Sequence, residues 1–382
     1  MDMTFSILGI TGSLYGLVAG ISVLCYLGAA VWLHRKAQFG TDAVLLYGIL
    51  GIPLGIIVSR IFFCAANINY FMQTLEQPLK MLNFWDGGYS MAGMLLGLVL
   101  AALLAAKLTR LDFRTFLDAM VLPLGVLIFG LRMAEGLTDG LGIGRNIDSA
   151  VVTQSLPFLF INETFGTLEL HRLAVFRLEA IFALLILGLM FWFRLRKNRR
   201  SGDLAMLFFA LYGAGQVLFE SMRSDGHMVM VFIRVQQVLG LLSILIALGI
   251  YCHRYGKTHG ARDAVTAAWT MLPIMAVILW MMISPINHVL DLTGHIGLGV
   301  GILVMMGGYL VVFLRLKGAN LRLILTWVAA LLTVAACVML EFSMDGSPHI
   351  LRDYAMLGGF AVLLFLYPFS LFWTMTKTKA LS

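Results

Sequence analysis

The chain has 382 residues, 60% of them hydrophobic and only 12% charged, with a formal net charge of +7. A soluble domain carries about a quarter charged residues, so this composition excludes an all-aqueous surface. The positive excess is not a nucleic-acid footprint either, because it sorts by position between apolar runs.

A bilayer-spanning helix needs about 20 consecutive, mostly apolar residues. Eleven runs qualify or come close: 13–33, 43–64, 91–106, 115–134, 173–193, 204–222, 234–252, 264–284, 292–314, 323–341 and 355–376. Their length excludes a barrel, whose strands alternate over about ten residues. The expected fold is therefore all-α: a polytopic integral membrane protein of about eleven transmembrane helices. The first run is too long and too poorly flanked for a cleavable leader and reads as a retained helix. Eighteen of the 27 Lys and Arg residues follow the odd-numbered runs, on one face: Arg35 and Lys36, then Lys107, Arg110 and Arg114, then the 194–200 cluster, and so on to Lys377 and Lys379. By the positive-inside rule that face is cytoplasmic, with the N-terminus outside and the C-terminus inside.

Two opposite-face connections are long, 65–90 and 135–172, and both mix Gly, Asn, Asp and aromatic residues. Their apolar stretches favour packing at the interface over disorder. The polar link 253–263 marks a module boundary, giving a seven-helix unit at 1–255 and a four-helix extension at 256–382. Cys25, Cys64, Cys252 and Cys337 have no paired spacing and read as small packing residues.

Ionisable groups inside spans are costly and mark function or paired structure. They concentrate at Ser59-Arg60, at Arg132 and Glu135 followed by Thr138, Asp139 and Arg145, at Arg172, Arg177 and Glu179, and at Gln216, Glu220 and Arg223. All lie toward the outer leaflet by the charge argument. Arg132 and Glu135 share a helix face at i,i+3, as Gln216 and Glu220 do at i,i+4. Arginine matches phosphate with a two-pronged fork and stays charged in apolar surroundings. The cluster therefore reads as a phospholipid head-group site; the other reading is that the Arg–Glu pairs merely satisfy one another. No zinc-type histidine spacing and no phosphate-loop motif occurs. A proton-coupled transporter would place its charges nearer the midplane.

The first seven runs resemble the phosphatidylglycerol–prolipoprotein diacylglyceryl transferase family over about residues 10–255. Tyr15-Gly16 stands where that family opens its first helix, and Ser59-Arg60-Ile61 matches its arginine at the end of the second. Trp85-Asp86-Gly87-Gly88-Tyr89-Ser90-Met91-Ala92-Gly93 resembles its Trp-x-Gly-Gly-x-Ser-x-His-Gly-Gly element. Residues 132–145 resemble its arginine-to-arginine signature, Glu179 its glutamate in helix five, and 213–223 the end of helix six. The departures are Ala92 for a histidine, Glu135 and Thr138 for two asparagines, and Gln216 for an arginine.

The resemblance implies an enzyme that moves diacylglyceryl from phosphatidylglycerol to a lipobox cysteine thiol in the bacterial plasma membrane, with no metal or organic cofactor. It implies Glu135 and Asp139 as proton-handling groups, and Arg132, Arg60, Gln216, Glu220, Arg223, Gly87, Gly88 and Tyr15 around the phospholipid. The implied partners are phosphatidylglycerol or a related phospholipid and a prolipoprotein acceptor. The lost histidine leaves one other reading, a non-catalytic phospholipid-binding or assembly protein that kept the fold.

Overall fold

The computed structural model describes residues 4–259 apart from 8–9, 35–39, 75–76, 148–149, 166–167, 196–199, 226–227 and 231–232; beyond 259 it describes only 365, 366 and 369. A short hairpin of β1 (Thr4–Ile7) and β2 (Ile10–Ser13) leads into α1 (Leu14–His34), α2 (Thr41–Ala66), α3 (Met91–Leu108), α4 (Phe113–Val121) and α5 (Leu124–Glu135). Then come β3 (Ile143–Asn146), α6 (Ala150–Ser155), β4 (Phe160–Phe165), β5 (Leu168–Ala174), α7 (Val175–Arg194) and α8 (Asp203–Met222). A two-residue-stranded hairpin, β6 (Val229–Met230) and β7 (Ile233–Arg234), precedes α9 (Val235–His259).

Seven apolar runs thus become helices at the expected places. Among the described residues, α1, α2, α3, α7 and α8 are each long and apolar enough to cross a membrane, and α4 and α5 reach that length only as a pair, bent by 45° between them. The bend corrects the expectation of one helix over 115–134. Its cause is Pro123, which donates no backbone hydrogen bond: Leu122 keeps helical angles (φ −55°, ψ −49°), and the backbone leaves them at Pro123 (φ −84°, ψ 1°). Runs eight to eleven lie outside the described residues except for Phe365, Leu366 and Phe369, and of the 256–382 extension the structure otherwise describes only 256–259, the end of α9. Those three pack on the core: Phe365 meets Phe182 edge-on at 5.8 Å and Phe369 stacks on Trp192 of α7 at 5.9 Å.

Lipid-facing and packed sides separate cleanly. Leu45, Ile49, Ile52 and Ile56 run along α2 at helical spacing and are exposed, as expected where the solvent is hydrocarbon. The opposite side meets α3 through glycine. A Cβ on Gly97 would stand 2.5 Å from the Leu54 carbonyl and 2.8 Å from Gly55 Cα, so this close backbone approach requires its absence. Gly213 and Gly240 play the same part between α8 and α9. At the other end of the bundle the Tyr26 and Tyr47 hydroxyls meet at 2.9 Å, and Tyr26 donates to the Met120 carbonyl at 3.0 Å, joining α1, α2 and α4. Cys64 is buried and Cys25 exposed, both as free thiols.

The loops are not all helical or irregular. Strands β3, β5 and β4 form a three-stranded antiparallel sheet in that order, with Asn162 opposite His171 and Glu163 opposite Leu170. The all-α expectation holds for the spans and is corrected here. These strands alternate only briefly, which run-length reading does not detect.

Helix α4 starts on an ordinary cap: Asp112 accepts from the Thr115 amide at 3.0 Å and its hydroxyl at 2.6 Å. Those bonds hold the Asp112 carboxyl below its usual range. Its contribution is therefore present at neutral pH and fades as pH falls through that lowered value. Asp112→Ala is expected to cost about 1 kcal/mol, measured by thermal unfolding in detergent, with the difference vanishing in strong acid.

Candidate active site

The ends of α5 and α8 and the start of α7 meet beneath the three-stranded sheet. Each contributes ionisable side chains that are largely shielded from water. Arg132, in the last turn of α5, directs Nη1 to Glu135 Oε1 at 2.5 Å and Nη2 to Glu179 Oε2 at 2.6 Å. Arg223, the C-cap of α8, directs Nη1 to Glu179 Oε1 at 3.2 Å and Nη2 to Glu135 Oε2 at 3.3 Å. The four residues close into a ring of alternating charge. Burying an ion costs several kcal/mol, which only good geometry with further hydrogen bonds repays. The ring satisfies that condition: each guanidinium fork spans two carboxylates and each carboxylate bridges two guanidiniums.

A second tier surrounds it. Gln216 accepts from Arg132 Nη2 at 3.1 Å and donates to Glu179 at 3.3 Å. Tyr212 lies 3.5 Å from Arg132. Asp225 receives Arg223 through Nε and Nη2 at 3.0 and 2.9 Å and the Gly142 amide at 2.8 Å. Arg234 stands 3.5 Å from both Asp225 and Glu220, and donates to the Arg223 carbonyl at 2.6 Å. Arg132 Nε and both Glu220 carboxyl oxygens are buried without a hydrogen-bond partner among the described residues.

Glycine is needed where the loop after α5 folds back. Gly142 has φ +67°, and a Cβ there would meet Phe176 at 2.8 Å and Glu135 Oε2 at 3.0 Å. The next residues enter β3, whose Gly144 pairs with Arg223. Glu135 is the ring member nearest the surface, with 14% side-chain exposure against 2 or 3% for the other three.

The expected residues fall into three groups. Arg132, Glu135, Gln216 and Arg223 share one network; Glu220 joins it through Arg234. Tyr15, at the start of α1, lies within electrostatic reach of Glu135, Arg132 and Tyr89, and Asp139 is exposed in the turn after α5. Arg60 stands apart. It is buried, lies over the rings of Phe63 and Phe71, and donates to the carbonyls of Lys80, Met81, Gly87 and Gly88. Both glycines have φ +75°, and a Cβ on Gly88 would collide with the Phe63 ring. Arg60 thus fastens the 78–88 loop to the end of α2. Arg60→Lys is expected to cost about 2–3 kcal/mol, since hydrogen bonds to charged groups are each worth 1.5–3; the loss is read in thermal midpoint, and in proteolysis of that loop.

Sequence reading does not single out Tyr212, Asp225 or Arg234. Asp225 lies in the short polar break after α8 and Arg234 directly before α9, and their charge beside a span was the available signal.

Beside the network an apolar cavity of about 530 Å³ runs between α3, α4, α8 and α9. Ala92, Gln216 and Gln236 line the end next to the ring, so Gln216 belongs to both. This volume is in the range of small-ligand sites.

A multi-spanning helical bundle with a buried ionic ring opening on an apolar cavity is the architecture of a membrane enzyme that handles an amphiphile. The chain matches the family model of prolipoprotein diacylglyceryl transferase over residues 2–253 and belongs to that family. The match covers the described helices α1 to α8, most of α9, and the whole network. Relatives named phosphatidylglycerol–prolipoprotein diacylglyceryl transferase include one from Clostridioides difficile (strain 630), 25% identical over 259 residues, 66% of this chain and 94% of the relative. Another, from Listeria welshimeri, is 26% identical over 64% of this chain and 86% of its own length. One from Thermotoga petrophila is 27% identical over 54% and 67%. The protein is thus a membrane transferase, and the non-catalytic reading is not favoured.

Proposed function

We propose that the chain transfers the diacylglyceryl group of phosphatidylglycerol to the thiol of a prolipoprotein cysteine, with the ionic ring as its reaction centre. The observation that carries this reading is the ring itself, which offers arginine forks and a partly exposed carboxylate at the same place. The phospholipid's phosphate sits against Arg132, whose Nε has a hydrogen-bond position open, and its acyl chains extend into the apolar cavity past Gln216 and Ala92.

The reaction needs three things. The acceptor thiol loses its proton to Glu135. The sulfur forms a bond to the terminal glyceryl carbon as the carbon–oxygen bond to phosphate breaks. The phosphate oxygen leaves with the electron pair, as glycerol phosphate. Negative charge grows on that oxygen during the step, and fixed guanidiniums stabilise it without reorganising. Glu179, held between both arginines, fixes their orientation. In this scheme Ala92 removes a histidine that the family pattern carries, and Glu135, which takes the place of an asparagine, supplies the proton acceptor. The ring faces the outer leaflet, with the N-terminus on that side, as the excess of Lys and Arg on the opposite face supports.

The test is to incubate the purified full chain with phosphatidylglycerol and a lipobox peptide and to weigh the peptide. A diacylglyceryl mass gain on the cysteine, with stoichiometric free glycerol phosphate, is expected. Release of glycerol phosphate without peptide modification would mean that another acceptor is used, and neither product would remove the proposal.

A further inference from the structure

The apolar cavity has two ends, and the donor lipid proposed above accounts for one of them. Gln236 and Arg254, which line its opposite ends on α9, are 18 residues apart, or about 27 Å at 1.5 Å per residue. The hydrocarbon core of a bilayer is about 30 Å thick, so the acyl chains of one leaflet cover about half of it. A phospholipid headed at the ring therefore fills the near half of the cavity. The far half is walled by Leu117, Met206, Ile246 and Ile250 and ends at Arg114 and Arg254.

Those two arginines flank Gly202. A Cβ on Gly202, between them, would lie 3.1 and 3.3 Å from the Arg254 guanidinium nitrogens and 3.4 Å from Arg114 Cβ. Gly202 also has φ +89°, which keeps a side chain out of the space beside them. The carboxylates nearby are engaged, Asp203 with Arg254 itself, whose Nη1 also donates to the Ser201 carbonyl at 3.0 Å. Asp118 accepts from the amides of Gly202 and Ala205 at 2.8 and 2.9 Å. Asp203 accepts from the Arg200 amide at 2.8 Å and lies 3.7 Å from Arg254. Asp112, which acts electrostatically on Arg114, is held by Thr115. An apolar wall about one leaflet deep, ending in two arginines, fits one chemistry: an acyl chain attached to an anionic phosphate.

We propose that this end is a second lipid site, taking an acyl chain of an anionic phospholipid from the opposite leaflet, with its phosphate on Arg114 and Arg254. The inference rests on the donor reading only in assigning the near half to the donor. An arginine pair reads a phosphate through bidentate bonds and favours a lipid of net negative charge over a zwitterionic one. The bound tail would line the floor of the donor's half, so that the length of the second lipid's chain sets how deeply the donor's chains can seat.

The experiment uses the full chain in nanodiscs containing phosphatidylglycerol with a photoactivatable head group, and identifies labelled peptides by mass spectrometry. Two labelled sets are expected, one around residues 132–142 and one in 111–117 and 250–254. Arg114→Ala, an exposed position that leaves the Arg254 contacts in place, should weaken the far set about tenfold, the loss of one charge-assisted contact. Arg114→Ala with Arg254→Ala should abolish it and leave the near set. Diluting with zwitterionic phosphatidylcholine should not displace the far label. A far set that is absent from the wild-type protein, survives the double substitution, or is displaced by phosphatidylcholine overturns the proposal. A far set without a near set overturns the donor assignment instead.

Discussion

Arg132→Lys is expected to lower diacylglyceryl transfer about 100-fold or more, the loss typical of removing one donor that stabilises a developing negative charge. Lysine keeps the positive charge but replaces a planar fork with a single flexible ammonium. Arg132 now reaches Glu135 at 2.5 Å, Glu179 at 2.6 Å and Gln216 at 3.1 Å. One ammonium cannot hold all three and also present a free edge to a phosphate. The choice of lysine matters, because a neutral replacement would leave Glu179 buried with one guanidinium instead of two. Breaking a buried pair in that way costs about 3–5 kcal/mol, and lost activity would then report unfolding. The measurement is transfer rate beside thermal midpoint. A large fall in rate with a small shift in midpoint supports the phosphate role. Full activity in Arg132→Lys would mean that the arginine serves structure alone and that the phosphate is held elsewhere.

Part of this site is readable from sequence because helical geometry supplies it locally. Arg132 and Glu135 share a face through their i,i+3 spacing, and the two side chains pair directly. The ring's closure is not local. Glu179 comes 47 positions after Arg132, and Arg223 a further 44, so only tertiary packing of α5, α7 and α8 brings them together. Asp225 is less visible still: its role depends on the Gly142 amide 83 positions away and on a polar break that resembles any surface turn. Arg60 shows the opposite difficulty. A buried arginine at the end of a span invites a ligand role, but its donors go to four carbonyls of the 78–88 loop. The spans themselves are legible because hydrocarbon imposes length and composition on every one of them. The break at Pro123 is not found by run length, because the apolar composition continues through the proline. The β3–β5–β4 sheet is hidden, because its strands are short and carry polar residues on both faces at the membrane surface.

Glu135→Gln tests the chemistry that the family pattern places least securely in this chain. Removal of a positioned proton acceptor costs about 10²- to 10⁴-fold, and that loss is expected here in the transfer step with lipid binding retained. The substitution preserves shape, and the 14% exposure of Glu135 lets water compensate part of the lost charge, so the fold should survive. Glutamine can still accept a bond from Arg132 through its carbonyl oxygen, but its amide faces Arg223, where the carboxylate now lies at 3.3 Å. A fall in rate is therefore open to a second cause, displacement of Arg223. Two further measurements separate the causes. Phosphatidylglycerol binding, read by co-purification, should be unchanged if only proton transfer is lost, and should fall if the arginines have moved. An acceptor peptide supplied at raised pH, where more of its thiol is already ionised, should recover much of the lost rate in Glu135→Gln and little in Arg132→Lys. If Asp139→Asn shows the pH-rescued loss and Glu135→Gln does not, the proton goes to the exposed turn, and the ring is left with the phosphate alone.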